Sequence, residues 1–483
     1  MNIATATKTP AKTWGFLVDG KWVSDGEAFE VRSPADGTVV GSGYLASAGD
    51  AEAAVQAAVR TFETTRKMPA YERQRILRGI SEGLRQGHEE FSRILALEAG
   101  KPIKAARTEV DRAIFTFAVA AEEATRIGGE WLPLDWQPAA AGRAAIVRRF
   151  PLGPIFAITP FNFPLNLVAH KLAPAIAAGC TMVLKPAPQT PLSSLLLAEV
   201  VEAAGWPAGG LNVLPMAIPE AERLVGDDRL KLLTFTGSGA VGWALKRKAG
   251  KKKVLLELGG NAGVVVHSDW DVEDAARRCV AGGFSYAGQS CISVQRIYVQ
   301  RSVQKRFLSA LVAGVKKLKV GDPLEEATDV GPLISVDAAK RAENWIEEAI
   351  AAGAQVETGG KRSGSYLEPT VLTNTRPEMK VICEEVFAPL VVVEPYDNFA
   401  DAIRRVNDSP YGLQTGLFTR DATLLFKAFE QLEVGGVIAG DISSFRIDHM
   451  PYGGVKESGM GREGLRYAIE EMTEPKMLVL NLG

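Results

Sequence analysis

An α/β fold with two sheet-containing units and one extended arm is predicted for this chain. Its 483 residues correspond to about three units of roughly 150 residues each. From residue 151 onward, short apolar runs alternate with helical stretches, which is typical of a mostly parallel sheet with right-handed crossovers. Such runs form two separate sets, and residues 128–150 are interpreted as two extended pieces that leave the globule.

Each element is predicted from its pattern of apolar residues. Residues 14–45 alternate apolar and polar side chains between Asp-Gly turn signals, which predicts short strands and hairpins. Between residues 50 and 127, apolar residues recur at helical spacing, as in Ala54, Val55 and Ala58. The predicted strands are 155–159, 181–184, 211–214, 232–236 and 254–258 in the first set, 294–299, 365–373, 391–395 and 435–439 in the second, and 476–482 at the end.

Composition and charge exclude several classes of protein. Lys and Arg number 55 against 57 Asp and Glu, so nucleic acid and anionic membranes are not expected partners. Four scattered cysteines without a C-x-x-C pair predict neither a disulfide scaffold nor a cysteine-rich zinc site, and no metal is expected. Residues 1–13 lack the apolar core of a secretory signal, and the apolar region 152–180 is interrupted too often to span a membrane. We therefore expect a cytoplasmic enzyme.

The sequence GSGAVG at residues 237–242 matches G-x-G-x-x-G between a predicted strand and a helix. Glu257 lies twenty positions after Gly237, which is the spacing of the acidic ribose ligand in a dinucleotide fingerprint. Glu257 also stands just before Gly259 at a strand end, where a carboxylate could project into a cleft and act in catalysis. The glycines could equally serve a tight strand–helix turn, and the pattern alone does not separate these roles.

Two further residues are candidates for chemistry. Cys291 follows a Gly-polar-polar turn, and a cysteine at the start of an element can have its thiol pKa lowered by helix N–H groups. A single cysteine is, however, more often a small buried apolar residue. Asn162 lies between Pro160 and Pro164 at a predicted strand end, where a stiff loop would preorganise its amide as a donor to an oxyanion. The alternative is an ordinary turn asparagine.

Seven motifs together resemble those of the NAD(P)-dependent aldehyde dehydrogenase superfamily. In chain order they are TPFNFP, KPAPQTP, FTGSGAVG, LELGG, GQSC, EEVFAP and the glycine-dense PYGGVKESGMGRE, and the match spans residues 15–483. The resemblance implies an aldehyde-dehydrogenase-like fold, with two Rossmann-like α/β domains and a β oligomerisation arm. The implied parts are residues 1–127 with 150–256 for the cofactor-binding domain, 257–467 for the catalytic domain, and 128–149 with 468–483 for the arm.

The resemblance also implies oxidation of an aldehyde to a carboxylic acid with NAD or NADP. Cys291 would be the nucleophile, forming a thiohemiacetal and then a thioester, while Asn162 and the Cys291 backbone N–H would hold the oxyanion. Glu257 would activate the hydrolytic water, a role that displaces the ribose role. The residues implied to contact the cofactor are Thr159, Pro160, Phe161, Lys185, Gly237, Ser238, Gly242, Leu258, Glu385 and Phe387. A homodimer or homotetramer is expected.

The chain departs from the family pattern at four positions. Pro188 stands where many members have an acidic residue, three positions after the lysine of the KPA motif, and this leaves the choice between NAD and NADP open. Ser290 precedes the nucleophile, where members that act on phosphorylated aldehydes can carry arginine, so a phosphorylated substrate is disfavoured. Phe161 for the usual Trp and Ala388 for the frequent Gly are regarded as minor.

Arg107 and Arg446 are the candidate substrate residues. In the family, their two regions approach the aldehyde entrance, so the guanidiniums could converge on an anionic tail. The alternative is structural pairing, of Arg107 with Asp111 and of Arg446 with Asp448 or another acidic residue. The hypothesis favours short semialdehydes or hydroxyaldehydes over long aliphatic aldehydes.

Two rival functions are weighed against hydrolytic oxidation. In a CoA-acylating aldehyde dehydrogenase, CoA takes the acyl group and the general-base glutamate is typically missing, whereas Glu257 is present here. A non-catalytic binding or structural descendant of the fold would have lost Cys291, Asn162 or Glu257, and all three remain. The sequence therefore favours the hydrolytic enzyme.

Overall fold

The structure, a computed structural model, describes residues 12–482. The predictions for the N-terminal signal and for the outermost ends of the chain fall partly on residues 1–11 and 483, which lie outside the described residues. The described α-helices are α1 Ala48–Thr65, α2 Ala70–Gln86, α3 His88–Ala99, α4 Ile103–Ala124, α5 Asn166–Ala178, α6 Leu192–Ala203, α7 Ile218–Val225, α8 Gly239–Lys248, α9 Val272–Phe284, α10 Gln304–Val315, α11 Val336–Ala351, α12 Lys380–Cys383, α13 Phe399–Asn407, α14 Ala422–Gln431 and α15 Leu465–Glu471. Helices α1–α4 confirm the helical prediction for residues 50–127.

The first sheet has eight strands, and its five central strands run parallel. In sheet order the strands are β24 Gly459–Met460, β12 Lys253–Glu257, β11 Leu232–Thr236, β8 Ile155–Ile158, β9 Met182–Lys185, β10 Leu211–Val213, β2 Phe16–Val18 and β3 Lys21–Val23. The central five match the first predicted set to within one residue at each end. Strand β24 and the β2–β3 hairpin join the two edges in antiparallel orientation.

The second sheet has seven strands and confirms most of the second predicted set. In sheet order they are β15 Gln355–Thr358, β18 Thr370–Thr373, β19 Leu390–Tyr396, β14 Arg296–Gln300, β13 Gly263–Val266, β21 Gln414–Phe418 and β22 Gly436–Ala439. The prediction of one strand over 365–373 is wrong, because Pro369 separates β17 Tyr366–Leu367 from β18. Strands β13, β15 and β21 are outside the predicted set; β13 and β21 contain glycines of the kind that signal turns, and β15 is a short strand with no buried residue.

The predicted extended pieces and the last predicted strand form a third, antiparallel sheet. Its order is β25 Thr473–Asn481, β7 Arg143–Pro151 and β6 Gly129–Pro133. Large apolar side chains on it, such as Trp131 and Leu478, are 58% exposed, so residues 12–482 leave this sheet with an uncovered apolar surface. The remaining strands form small sheets: β1 Thr13–Trp14, β5 Val39–Leu45 and β4 Glu27–Arg32; β16 Arg362–Ser363 with β17; and β20 Tyr411–Gly412 with β23 Val455–Lys456.

Each large sheet has its own apolar core. Helix α5 is central to the first core, because all thirteen of its residues are buried. Its sequence is apolar nearly all round, as expected for a helix without a solvent face. Within residues 12–482, no helix is both long and apolar enough to cross a membrane. The amino end of α5 follows the loop after β8, so this buried helix anchors the loop that carries Asn162.

Candidate active site

A cavity of about 680 Å³ lies at the carboxyl ends of β8, β11 and β12. Ligands bind at this edge in open α/β sheets. Asn162 follows β8, Glu257 ends β12, and Cys291 comes from the turn before β14; all three line the cavity. The structure thus brings together the three residues that the sequence singled out as catalytic candidates.

Most of the residues predicted to contact the cofactor also line this cavity, namely Pro160, Phe161, Gly237, Ser238, Leu258, Glu385 and Phe387. Thr159, Lys185 and Gly242 lie outside its lining. Gly242 has a packing role instead, because a Cβ there would come within 2.4 Å of the Leu258 side chain. This glycine lets α8 approach the segment that follows β12.

A turn of unusual backbone conformation brings Cys291 to the cavity. Tyr286 and Ala287 have φ angles of 49° and 52°, in the left-handed region that costs energy for residues with a side chain. The buried Gln289 holds the turn, because its Oε1 accepts a hydrogen bond from the Ile334 backbone N–H at 2.9 Å. The position of Cys291 is therefore imposed by tertiary contacts.

Cys291 lies in a turn, so the interpretation that helix N–H groups activate its thiol is wrong. The pKa of the thiol is raised to about 12, chiefly by burial and also by the charges of Glu385 and Glu257. The Tyr452 hydroxyl, 3.0 Å from Sγ, acts in the opposite direction and lowers this pKa. Sequence reasoning had marked only the loop 451–463 and missed Tyr452 as an individual residue.

Asn162 lies beside the turn that carries Cys291 and is 5% exposed. Its Nδ2 group donates one hydrogen bond to Gln289 O at 3.1 Å, which leaves its second N–H for another acceptor. Behind the loop, Glu109 accepts hydrogen bonds from the backbone N–H groups of Leu165 and Asn166 at 3.0 and 3.1 Å. This carboxylate fixes the start of α5 and hence the loop before it.

Glu257 is the last residue of β12 and is 6% exposed. Its Oε2 atom is buried without a hydrogen-bond partner among residues 12–482. Burial raises the pKa of Glu257 well above its usual value, and the nearby charge of Glu463 raises it further, whereas Arg446 acts in the opposite direction. A carboxyl group with a raised pKa is suited to take a proton near neutral pH.

Two ion pairs involve arginines that line the cavity. Arg446 pairs with Glu463 at 2.8 Å, which confirms the alternative that Arg446 meets an acidic residue. Arg112 pairs with Asp448 through two hydrogen bonds of 2.6 and 3.2 Å. Arg446 Nε is buried and finds no partner in the part of the chain that the structure describes. The buried Nε–H group of this guanidinium is therefore available to a ligand.

The structure places Arg107 outside the cavity, which corrects its predicted convergence with Arg446. Its guanidinium pairs with Glu89 at 3.1 Å and with Glu326 at 2.7 Å near the surface. The predicted pairing with Asp111 is also wrong. Residues five apart on a helix differ by about 140° around its axis, so Arg112 lies on the cavity face of α4 and Arg107 does not.

The cavity has the features that a dinucleotide needs. Ser238 is the N-cap of α8, and in the described residues its side chain makes no capping hydrogen bond, so the helix N-terminus can meet a phosphate. Glu385 accepts a hydrogen bond from Gly260 N at 2.9 Å, and burial raises its pKa to about 7. Phe387 packs edge-on against Phe161, with ring centroids 5.9 Å apart. These groups fit a bound NAD or NADP.

A cysteine, a carboxylate and groups that fit NAD or NADP at one edge of a parallel sheet are typical of a dinucleotide-dependent oxidoreductase, and comparisons with known proteins agree with that class. The model of the aldehyde dehydrogenase family matches residues 22–478. A 3-sulfolactaldehyde dehydrogenase of Priestia megaterium is 46% identical over 98% of this chain and 99% of its own. The structure of aldehyde dehydrogenase 21 from Physcomitrella patens, in complex with succinate, has 45% identity and a TM-score of 0.97, covering 98% of this chain and 100% of that one.

A third relative carries a cofactor. Glyceraldehyde-3-phosphate dehydrogenase GapN of Methanocaldococcus jannaschii, complexed with NADP, is 39% identical with a TM-score of 0.91, covering 95% of this chain and 100% of that one. The chain therefore belongs to the aldehyde dehydrogenase family, and it is an enzyme that uses NAD or NADP.

Proposed function

We propose that this enzyme oxidises a short polar or anionic aldehyde to its carboxylic acid by covalent catalysis at Cys291. The observation that carries the proposal is the meeting of Cys291, Asn162 and Glu257 in one cavity, next to residues that fit a dinucleotide. Each of the three keeps a group for chemistry: a thiol, a second amide N–H, and a buried carboxylate oxygen without a protein partner among residues 12–482.

The proposed reaction begins when the Cys291 thiolate attacks the aldehyde carbon. The carbonyl oxygen becomes an oxyanion, which the second Asn162 N–H and the Cys291 backbone N–H stabilise. The chemistry that NAD or NADP supplies when bound is the acceptance of a hydride. Glu257 then takes a proton from water, and the resulting hydroxide releases the acid from the Cys291 thioester.

The charged wall of the cavity supports a short substrate with a polar or anionic tail. Arg446 Nε is the buried donor left over after the pairing with Glu463, and Arg112 lies in the same lining. A guanidinium suits a carboxylate or sulfonate because its N–H groups point in a fixed fork. The relatives described as sulfolactaldehyde, lactaldehyde and succinate-semialdehyde dehydrogenases support the same choice.

Replacing Arg446 is expected to reduce activity selectively on the anionic substrate. In Arg446→Ala, kcat/KM for succinic semialdehyde should fall about 10- to 150-fold more than kcat/KM for hexanal, because one charge-assisted contact worth about 1.5–3 kcal/mol is lost. Some loss common to both substrates is expected, since Glu463 then loses one of its two partners, the one at 2.8 Å, and keeps Lys171 at 3.4 Å. Steady-state kinetics with the two aldehydes measures the difference.

The matched control for this experiment is Arg107→Ala. Arg107 carries the same charge, but it pairs with Glu89 and Glu326 outside the cavity, so the ratio of the two kcat/KM values should stay at the wild-type value. Equal losses on both substrates in Arg446→Ala would mean that Arg446 is structural, and the proposed anionic tail would then be abandoned.

Both NAD and NADP are expected to support catalysis in the wild type. Pro188 is exposed at the position where an acidic side chain would repel a 2′-phosphate, and Lys185 supplies a nearby cation. Pro188→Glu should lower kcat/KM for NADP by about tenfold or more and spare NAD, because like charges then meet. Gln189→Glu, at the next exposed position, is the control. A wild type that is inactive with NADP would show that another residue excludes it.

We also propose that the antiparallel sheet β25–β7–β6 joins copies of this chain into a homodimer or homotetramer, and that the enzyme is cytoplasmic. The exposed apolar side chains of this sheet support the first part, because soluble monomers rarely leave such a surface uncovered.

A further inference from the structure

Tyr452 places its hydroxyl directly on the nucleophile. Its Oη lies 3.0 Å from Cys291 Sγ, and the side chain is 3% exposed. Ile292 and Leu413 pack with it in a small apolar cluster at the cavity wall. The Tyr452 side chain is therefore largely shielded from water where its hydroxyl meets the sulfur.

The position of the ring is set by the backbone and by a cation. Tyr452 N donates to Glu463 O at 3.1 Å, and Glu463 N donates to Tyr452 O at 2.7 Å, which ties the two ends of the loop 451–463 together. The Arg446 guanidinium stacks on the phenol ring, 3.6 Å from its centroid. Because a cation over the ring withdraws electron density, it makes the phenol O–H a stronger hydrogen-bond donor.

The charged groups that face the thiol act on its ionisation in opposite directions. Glu257, at the end of β12, and Glu385, from the segment after α12, are acidic and disfavour a thiolate, whereas Arg446 favours it. Tyr452 is faced by Cys291, Arg446 and Glu257, and burial holds its pKa well above the usual value. The phenol thus keeps its proton and can donate it in a hydrogen bond to a negatively charged sulfur.

We propose that Tyr452 is a catalytic residue, whose hydroxyl donates a hydrogen bond to Cys291 Sγ and stabilises the thiolate that attacks the aldehyde. The thiol proton leaves to bulk water, and no bond to Tyr452 forms or breaks. The inference rests on the proposed role of Cys291 as nucleophile. It adds to that role the group that offsets the burial of the thiol.

Tyr452→Phe removes only the hydroxyl and keeps the ring under Arg446. Below the midpoint of thiol ionisation, the variant should react with iodoacetamide about tenfold more slowly than wild type at every pH, because less thiolate is present. The S–H stretching band of Cys291, isolated in Raman spectra by subtracting Cys291→Ala, should persist to a pH about one unit higher. The value of kcat/KM at neutral pH should fall by a similar factor.

The control is Tyr298→Phe, which also removes a buried hydroxyl. The Tyr298 hydroxyl donates a hydrogen bond to Arg405 O at 3.4 Å, and Tyr298 does not line the cavity. It should leave the alkylation rate and the S–H titration of Cys291 unchanged. If Tyr452→Phe slows alkylation but leaves the S–H titration at the wild-type pH, Tyr452 only packs against the thiol and the inference is overturned.

A second measurement needs no substitution at Tyr452. Wild-type protein grown with 3-fluorotyrosine has more acidic phenols, so the S–H band of Cys291 should disappear at a lower pH; an unchanged titration would contradict the inference. The proposed function is tested separately. If Cys291→Ala still oxidises aldehydes, the proposed function is wrong. If Tyr452→Phe leaves the alkylation rate and the S–H titration of Cys291 unchanged, only the role of Tyr452 is wrong.

Discussion

Cys291→Ala is expected to abolish aldehyde oxidation while leaving the affinity for NAD and NADP intact. The methyl group cannot form the thiohemiacetal, and in the proposed mechanism Asn162 only stabilises the oxyanion and Glu257 only activates water. Removal of a nucleophile typically costs a factor of about 10⁴ or more in kcat. Reduced cofactor formed from an aldehyde measures the loss, and quenching of protein fluorescence by NADH measures binding.

Cys383→Ala is the matched control, because Cys383 is the other partly exposed cysteine in the described chain. It should retain wild-type activity. In the wild type, iodoacetamide should label Cys291 in step with inactivation, and the rate should rise with pH, because the thiolate reacts and burial raises the pKa of this thiol to about 12. Labelling of Cys383 or Cys180 that tracks the loss of activity would transfer the nucleophile's role to that residue.

Glu257→Gln is expected to allow one turnover and then stall. Attack by Cys291 and hydride loss do not require a base at residue 257, whereas hydrolysis of the thioester does. Rapid-mixing experiments should show a burst of about one reduced cofactor per site, followed by turnover slower than wild type by about 10²–10⁴-fold. If CoA then releases the acyl group as acyl-CoA, the thioester is present and only its hydrolysis has been lost.

The pH dependence of wild-type turnover tests the same residue. Only the ionised carboxylate of Glu257 can accept the proton of water, and burial together with Glu463 raises its pKa well above the usual value. Steady-state activity should therefore fall as pH drops through this raised pKa, and the residual turnover of Glu257→Gln should lack this dependence. Glu98→Gln, which alters a buried carboxyl group that caps α6, is the control and should keep the wild-type profile.

A different result would reassign Glu257. If Glu257→Gln weakens only the binding of NAD, with kcat intact and no burst, the carboxylate is a ribose ligand, as the spacing from Gly237 had allowed. A burst with unchanged cofactor affinity would exclude that role.

The sequence could predict where a site residue lies when its motif stands at the end of a predicted strand. Asn162 lies in the loop after β8 and Glu257 is the last residue of β12, so parallel topology alone brings them to one edge. The prediction that Arg107 binds substrate was wrong because the family resemblance identifies a helix but not which of its arginines faces the cavity. In the structure it is Arg112 that lines the cavity. Tyr452 could not be predicted as a partner of Cys291, because 161 positions separate them and only the folded loop joins them.

The conformation of the turn that carries Cys291 could not be predicted from the sequence either. The positive φ angles of Tyr286 and Ala287 oppose their intrinsic preferences, and contacts such as that of Gln289 with Ile334 impose them. We propose that residue 257 begins the catalytic domain, as the family resemblance implies. Strand β24, from the later part of the chain, pairs with β12 and so belongs to the first sheet.

The pairing of β24 with β12 has a consequence for how the enzyme is made. Glu257 pairs with Gly459, so the ribosome must add roughly two hundred residues after Glu257 before its neighbour exists, which takes about 10–40 s at ~5–20 residues per second. Throughout that interval β12 is a bare sheet edge, open to pairing with other nascent chains. Incomplete translation products would therefore be both inert and prone to aggregate, and the growing chain should depend on chaperones until its final segment emerges.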